Sequence, residues 1–317
     1  MTRRISVCAL LLSVFTLPPN GLPHLVNVAA QTQTSGAVRR PVAPEVVVRE
    51  GGQTVVRAVR ITEPMRIDGR LDEVAYSTVP AISDFIQSVP KEGAPASERT
   101  DAWVMFDGNF IYVSCRCWDS APPEEWTANE MRRDTSQLRQ NDMFGVLFDT
   151  FHDRRNGFNF YTNPIGAFAD QAITDEGNPN TDWNPVWQVR TGRFEGGWTA
   201  ELAIPFKSLR YRSGVDQTWG IQLRRVNRWK NEISFLTQVP DGSGNNGLSR
   251  TSQFATLVGV EAPGGSRMFD VKPYVTADVT RNAPGRSDTL GRDLGFDVKY
   301  GVTRGLTGDF TYNTDFA

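Results

Sequence analysis

Short stretches in which apolar and polar residues alternate follow one another from about residue 56 to residue 260. Alternation with a period of two is typical of β-strands that bury one face. DAWVMFDGNFIYVSCRCWD predicts a hairpin turning at Asp107–Asn109, and PVWQVRTGRF with GWTAELAIPF predicts another across Glu195–Gly197. DMFGVLFDTF is apolar on both faces and predicts a central strand. With helical patterns confined to LDEVAY and EEWTANEMRRDTSQLRQ, the fold class predicted is all-β, an antiparallel, jelly-roll-like β-sandwich.

The pattern changes after Met268, where FDVKPYVTADVT, DLGFDVKYGVT and GLTGDFTYNTDFA alternate strictly. Segments of this length, apolar on one face and polar on the other, are typical of outer-membrane barrel strands, although a half-buried soluble sheet has the same pattern. We predict that residues 268–317 are the start of an outer-membrane β-barrel domain. Three strands cannot close a barrel, so this domain is incomplete in the chain.

The first thirty residues have the three parts of a secretory signal. Arg3 and Arg4 precede the apolar run ISVCALLLSVFTL, and small residues end the segment at Val28–Ala30. The run is too short for a spanning helix, and an uncleaved anchor is the alternative. We predict a signal peptide at residues 1–30, a linker rich in Gln, Thr, Ser and Pro at residues 31–58, and an exported protein in the periplasm or at the cell surface, associated with the outer membrane.

Composition excludes several classes of function. The formal net charge is −2, which gives no basic excess for a nucleic-acid partner. Beyond His24 in the leader the chain holds only His152, so a multi-histidine metal site is excluded. Cys115 and Cys117 share one strand face, which predicts two small core residues or, alternatively, a strained disulfide.

Five stretches, in order, resemble the carbohydrate-binding modules of family 9. They are IDGRLDE at 67–73, VMFD with IYV at 104–113, DMF with LFD at 142–149, NPIG with Asp170, and GWTAELAIPF at 197–206. The resemblance covers residues 59–262, and the segment after Met268 resembles the start of a bacterial barrel domain that often follows such a module.

The resemblance implies a β-sandwich that grips a polysaccharide or oligosaccharide at one end, that often holds structural calcium and that accompanies glycoside hydrolases. The function expected is non-catalytic carbohydrate binding that assists polysaccharide catabolism or uptake. The alternative is an interaction or plug domain of an outer-membrane barrel without sugar binding. A glycoside hydrolase is the less favoured third hypothesis, because no acid motif stands out among the 36 acidic residues.

Sugar binding needs flat aromatic faces and a few fixed polar groups. Trp183 lies in the proline-flanked polar loop NPNTDWNPVW and is the first candidate platform, while a cap over the end of the sandwich is the alternative. Two further tryptophans and three polar residues complete the predicted sugar site, with turn formation and ion pairing as the alternative for the polar ones: Trp187, Trp126, Arg132, Asn163 and Asp170.

The loop TDEGNPNTD at 174–182 is dense in side-chain oxygen atoms, which are the ligands that calcium prefers. Its spacing differs from that of an EF-hand. Asp175, Glu176 and Asp182 are therefore the candidate calcium ligands, and a solvated loop is the alternative.

Overall fold

The computed structural model describes residues 45–212, 214, 216–263, 269–280, 289–301 and 307–312. The predicted signal peptide and residues 31–44 of the predicted linker lie outside these residues, as do parts of the predicted barrel segment. Residues 47–57 of the predicted linker form a hairpin of two strands, so the sandwich begins before residue 59.

The sandwich contains one short α-helix, α1 (Val74–Thr78), within the segment predicted to be helical at LDEVAY. The second predicted helical segment forms 3-10 turns at Pro123–Glu125 and Ser136–Gln140. Further 3-10 turns cover Phe206–Ser208, Asp241–Ser249 and Thr251–Gln253.

The strands of the sandwich are β1 (Val47–Glu50), β2 (Gln53–Arg57), β3 (Val59–Arg60), β4 (Ile86–Val89), β5 (Thr100–Phe106), β6 (Phe110–Trp118), β7 (Met143–Asp149), β8 (Gly157–Thr162), β9 (Phe168–Thr174), β10 (Asn178–Asn180), β11 (Gln188–Phe194), β12 (Gly197–Pro205), β13 (Asp216–Asn227), β14 (Glu232–Phe235) and β15 (Ala255–Glu261).

Two sheets form the sandwich. The larger runs in the order β1-β2-β15-β13-β7-β8-β9-β10, with β14 and β4 attached beside β13. The smaller runs in the order β11-β12-β6-β5-β3. Most pairs are antiparallel, whereas β2 with β15 and β3 with β5 are parallel. Both predicted hairpins, β5–β6 and β11–β12, are confirmed, as are the central position of β7 and the all-β class.

The main core lies between the two sheets, because its buried side chains come from the facing strands of both. Trp219, Ile221 and Leu223 point inward from β13, as their alternation predicts. Cys115 and Cys117 also lie in this core as free, fully buried thiols with their sulfur atoms 3.6 Å apart, which confirms the prediction of small core residues.

The outer face of the larger sheet is also covered. The turns Ser136–Gln140 and Asp241–Ser249 place Leu138 and Leu248 against Tyr161 and Phe235, and both leucines are buried. Gly145 of β7 lies directly below, since a Cβ atom there would approach Leu248 Cδ2 to 3.3 Å. Much of this face is therefore a second apolar core and is closed to ligands.

Glu201 of β12 holds the loop that contains the sequence IDG, residues 67–69. Its carboxylate accepts hydrogen bonds from the backbone N–H groups of Asp68 and Gly69, at 3.0 and 2.8 Å, and from Tyr76 Oη at 2.8 Å. Gly69 has a φ of 86°, and a Cβ atom there would lie 2.5 Å from the backbone of Thr191. The carboxylate thus fixes the loop that closes the outer face of the smaller sheet.

Three further strands, β16 (Phe269–Thr280), β17 (Thr289–Gly301) and β18 (Thr307–Tyr312), form a separate antiparallel sheet. Phe296 stacks on Tyr312 with ring centroids 5.5 Å apart. Large apolar side chains are exposed on one face of this sheet: Val271, Val275, Leu294, Phe296, Tyr300, Phe310 and Tyr312. Among the described residues, no helix is long and apolar enough to cross a membrane.

Candidate functional site

Trp183 and Trp187 meet in an aromatic cluster at one end of the sandwich. Trp183 is half-buried and lies 4.8 Å, centroid to centroid, from Phe158. Trp187 is only 6% exposed and packs edge-on against Phe160 and Phe168. The structure therefore leaves Trp183 partly accessible, in contact with the core, and makes Trp187 a core residue.

Asp170 is held inside the same cluster. Its Oδ2 accepts hydrogen bonds from Trp187 Nε1 and Arg133 Nη2, both at 2.8 Å. Burial raises the pKa of this carboxyl group, although both donors act in the opposite direction. Arg133, rather than the predicted Arg132, is the arginine of this end of the sandwich, and its guanidinium also lies 4.9 Å from the centroid of Phe168.

The remaining predicted sugar ligands have other partners. Trp126 is buried and donates its indole N–H to the carbonyl oxygen of Ala121 at 3.1 Å. The Arg132 side chain is 76% exposed and pairs with Glu130.

Asn163 is fully buried. Its Nδ2 donates to the Glu130 carbonyl and to Asn141 Oδ1, and its Oδ1 accepts from the backbone N–H groups of Ile165 and Ala167. The Asn163 side chain builds the turn after β8, so the alternative of turn formation describes it better than sugar contact.

The predicted calcium ligands are directed to different partners. Asp175 pairs with Arg155 at 2.5 Å. Glu176 accepts hydrogen bonds from Thr251 Oγ1 at 3.2 Å and from the backbone N–H of Ser252, so it ties this loop to the turn before β15. Asp182 is exposed. The described residues contain no cluster of three His, Cys, Asp or Glu side chains that could hold a metal ion. These three residues therefore do not fit a calcium cage.

Two cavities meet at Arg49 and Ile86, and we call them together the Arg49 groove. The first, of about 620 Å³, has a wall dominated by amide, hydroxyl and guanidinium groups: Gln53, Thr54, Arg154, Gln238 and Gln253. The second, of about 730 Å³, has an apolar part formed by Phe85, Ile86, Pro95 and Ala96, beside charged and hydroxyl side chains: Ser83, Asp84, Ser97, Glu98, Arg99 and Thr100. Each volume falls in the range of about 300–1,000 Å³ that is usual for small-molecule sites.

The two arginines of the first cavity are fixed in place. Arg49 Nη2 donates to the carbonyl oxygens of Ser83 and Asp84, at 3.0 and 3.3 Å. Arg154 Nη1 donates to the carbonyl oxygen of Phe254 at 2.7 Å. The groove therefore offers preordered planar donors beside amide and hydroxyl groups, which together suit a ligand rich in hydroxyl groups.

The Arg49 groove was not predicted from the sequence. Its residues come from the β1–β2 hairpin, the loops on both sides of β4 and the segment before β15, which are far apart in the chain. No short motif marks them. The one signal available was the run of β-branched residues in VVVRE and in QTVVR, which favours strands in a segment predicted to be a linker.

No protein-family model matches the chain, and no curated protein matches it. Among solved structures, it is similar to a family 9 carbohydrate-binding module from Caldicellulosiruptor kristjanssonii in complex with cellotriose, with 17% identity, a TM-score of 0.44, and coverage of 66% of this chain and 95% of the module. It is also similar to a family 9 module from the same organism in complex with glucose, with 15% identity, a TM-score of 0.46, and coverage of 67% of this chain and 97% of the module. For a candidate carbohydrate-binding protein from Bacteroides uniformis the identity is 11% and the TM-score 0.46, with coverage of 64% of this chain and 98% of that protein.

Proposed function

We propose that the sandwich is a non-catalytic carbohydrate-binding module of an exported protein, and that the Arg49 groove holds the sugar. The module would retain a polysaccharide or oligosaccharide in the periplasm or at the cell surface, where it is broken down or taken up. The observation that carries the proposal is the pair of adjoining cavities that share Arg49 and Ile86, since two adjacent sites suit a chain of sugar units better than a single small ligand.

The chemistry of the wall supports a hydroxyl-rich ligand. Gln53, Gln238 and Gln253 each offer an amide donor and an acceptor, and Thr54 adds a hydroxyl group. Arg49 lies at the junction of the two cavities and forms an ion pair at 3.9 Å with Asp84 of the second, so their charges largely offset each other.

Calorimetric titration of the purified chain with a panel of neutral and acidic oligosaccharides tests this proposal. The panel includes cellotriose and glucose, which two solved family 9 modules hold. We expect saturable binding of at least one oligosaccharide, and weaker binding of its monosaccharide because a monosaccharide fills only one cavity. Absence of binding across the panel, by a chain that melts cooperatively, would contradict the proposal.

A second proposal concerns the sheet formed by β16–β18, which we infer to be the beginning of a domain that lies in the outer membrane. Exposed apolar side chains on one face support it. The register supports it as well, because it places Lys299 opposite Asp270 on one side and Asp309 on the other. A sheet with one apolar face and one face of paired charged positions suits a barrel wall between lipid and an aqueous interior.

Liposome flotation tests the membrane proposal. The whole chain is expected to float with the vesicles after refolding in their presence and to resist extraction at high salt, because the contact is apolar rather than ionic. Recovery of the folded chain in the unbound fraction would contradict it, and that result would leave the sugar-binding proposal untouched.

A further inference from the structure

Arg116 lies on the outer face of β6, the face opposite to the one from which Cys115 and Cys117 enter the core. The register places it between Asp101 of β5 and Thr199 of β12. Its side chain is partly buried. The position is therefore fixed by two neighbouring strands and is still open to solvent.

Three aromatic rings surround the guanidinium group of Arg116. Its Cζ atom lies 5.7 Å from the ring centroids of both Trp103 and Trp118, and 5.9 Å from that of Phe194. Trp118 and Phe194 also contact each other edge-to-face at 5.5 Å. These rings exclude part of the water around the guanidinium group. An anion that binds there would therefore experience a stronger electrostatic attraction than on an open surface.

The nearest acid is already paired with another residue. Asp101 binds Arg99 through both carboxylate oxygens, at 3.0 and 2.7 Å, and its Oδ1 also accepts from Ser83 Oγ. Among the described residues, Arg116 has neither a hydrogen-bond partner nor an ion-pair partner for its guanidinium group. Its planar set of donors is therefore available to a ligand.

Arg99 lies between the Arg116 guanidinium group and the Arg49 groove. It lines the second cavity of the groove, and its guanidinium lies 4.5 Å from the centroid of Trp118. Arg116 lies over the same indole at 5.7 Å. A chain-like ligand that leaves the groove at Arg99 would thus come next to Trp118 and Arg116.

We propose that Arg116 binds the carboxylate group of a uronic acid unit, so that the ligand of the sandwich is an acidic polysaccharide. The inference rests on the proposed sugar-binding function and names its ligand class. A guanidinium group forms two parallel hydrogen bonds to a carboxylate, and the adjacent rings of Trp118 and Phe194 provide apolar surface for a sugar ring. An unpaired arginine among aromatic rings would add little to the binding of a neutral sugar.

Matched titrations test the assignment. The whole chain is titrated with an oligogalacturonate, with a neutral oligosaccharide of equal length and with a sulfated one. We expect the uronate to bind about tenfold to hundredfold more tightly than the neutral ligand, which is the factor that one charge-assisted bidentate contact provides. This preference should decline as salt concentration rises.

Arg116→Gln should abolish the preference for the uronate, because it removes the charge that the carboxylate pairs with, and should leave the affinity for the neutral oligosaccharide within about twofold, because a neutral ligand does not pair with that charge. Arg193→Gln is the matched control, because Arg193 is exposed and lies over the ring of Trp126. Thermal melting of both variants establishes that they fold.

Three results would overturn the assignment. Equal binding of neutral and acidic ligands would refute it and leave the sugar-binding proposal standing. A stronger preference for the sulfated ligand would refute the carboxylate as the recognised group. Failure of every ligand to bind would refute the sugar-binding proposal and this inference together.

Discussion

The indole N–H of Trp187 lies 2.8 Å from Oδ2 of Asp170, inside the aromatic end of the sandwich. Arg133 donates to the same oxygen from the solvent side. The carboxylate is therefore a buried anchor for the segment that leads into β11, and neither Trp187 nor Asp170 is free to bind a ligand.

Replacing Trp187 by Phe should reduce stability. The change keeps the aromatic contacts with Phe160 and Phe168 and removes one donor to a buried carboxylate, which we expect to cost about 1–3 kcal/mol in the free energy of unfolding. Urea denaturation measures this. Trp229→Phe is the control, because Trp229 is 48% exposed and its replacement should change stability by less than about 0.5 kcal/mol. Equal effects of the two substitutions would contradict the anchoring role.

Glu201 should make the sandwich less stable at alkaline pH. Burial raises the pKa of its carboxyl group from 4.5 to about 7. The folded state therefore binds a proton more tightly than the unfolded state does, and the associated stability is complete below pH 4.5 and is lost as the pH rises through 7. We expect the melting temperature to fall between pH 5 and pH 8, the interval that brackets this pKa of about 7.

Glu201→Gln provides the comparison for that experiment. It removes the titrating group, while its amide oxygen can still accept from the backbone N–H groups of Asp68 and Gly69, so the variant should show a flatter pH profile. An identical pH profile for the two proteins would show that another group controls the transition.

A pair of glycine substitutions separates backbone strain from steric contact. Gly69 and Gly196 have nearly equal φ values, of 86° and 89°. A Cβ atom at Gly69 would lie 2.5 Å from the backbone of Thr191, whereas one at Gly196 would meet nothing within 4 Å. Both alanine variants carry the cost of a positive φ, about 1 kcal/mol, and only Gly69→Ala should lose substantially more. Denaturation midpoints that fall equally would contradict the close approach.

Alternation along the chain predicted most of the sandwich because alternate residues of a strand point to opposite faces, and one of these faces lies in the main core. Trp219, Ile221 and Leu223 of β13 illustrate this, since their spacing alone assigns them to the core. The β1–β2 hairpin escaped prediction because the Gln, Thr, Ser and Pro content of residues 31–58 suggested a linker, although Val56 of β2 reaches the main core.

The candidate site was harder to predict from the sequence. Polar loop residues such as Asn163 have the composition of a ligand site, but backbone groups nearby satisfy them. Arg116 and Trp118 could have been placed together, because alternation through Cys115 and Cys117 assigns them to the other face of β6. The Arg49 groove depends on contacts between distant segments, which local patterns do not contain.

Adjacent residues of β18 test the membrane proposal. The exposed ring of Phe310 belongs to the apolar face, and Thr311 follows on the opposite face. Phe310→Arg should lower recovery with floated liposomes, because an arginine facing lipid costs about 2–4 kcal/mol near the middle of the bilayer. Thr311→Arg should retain recovery close to that of the original chain. Equal recovery of both variants would place this face outside the membrane.

The central claim is that the Arg49 groove binds an oligosaccharide, and a titration of one double variant tests it most directly. Gln53 and Gln238 are exposed and line the first cavity, so replacing both by Ala should leave the fold intact. We predict that calorimetric affinity for the oligosaccharide bound by the original chain falls by about tenfold or more, as two lost hydrogen bonds of about 1 kcal/mol each imply, while Trp183→Ala reduces it less. Unchanged affinity in the double variant, with loss of binding in Trp183→Ala, would contradict the account and place the site at the aromatic end of the sandwich.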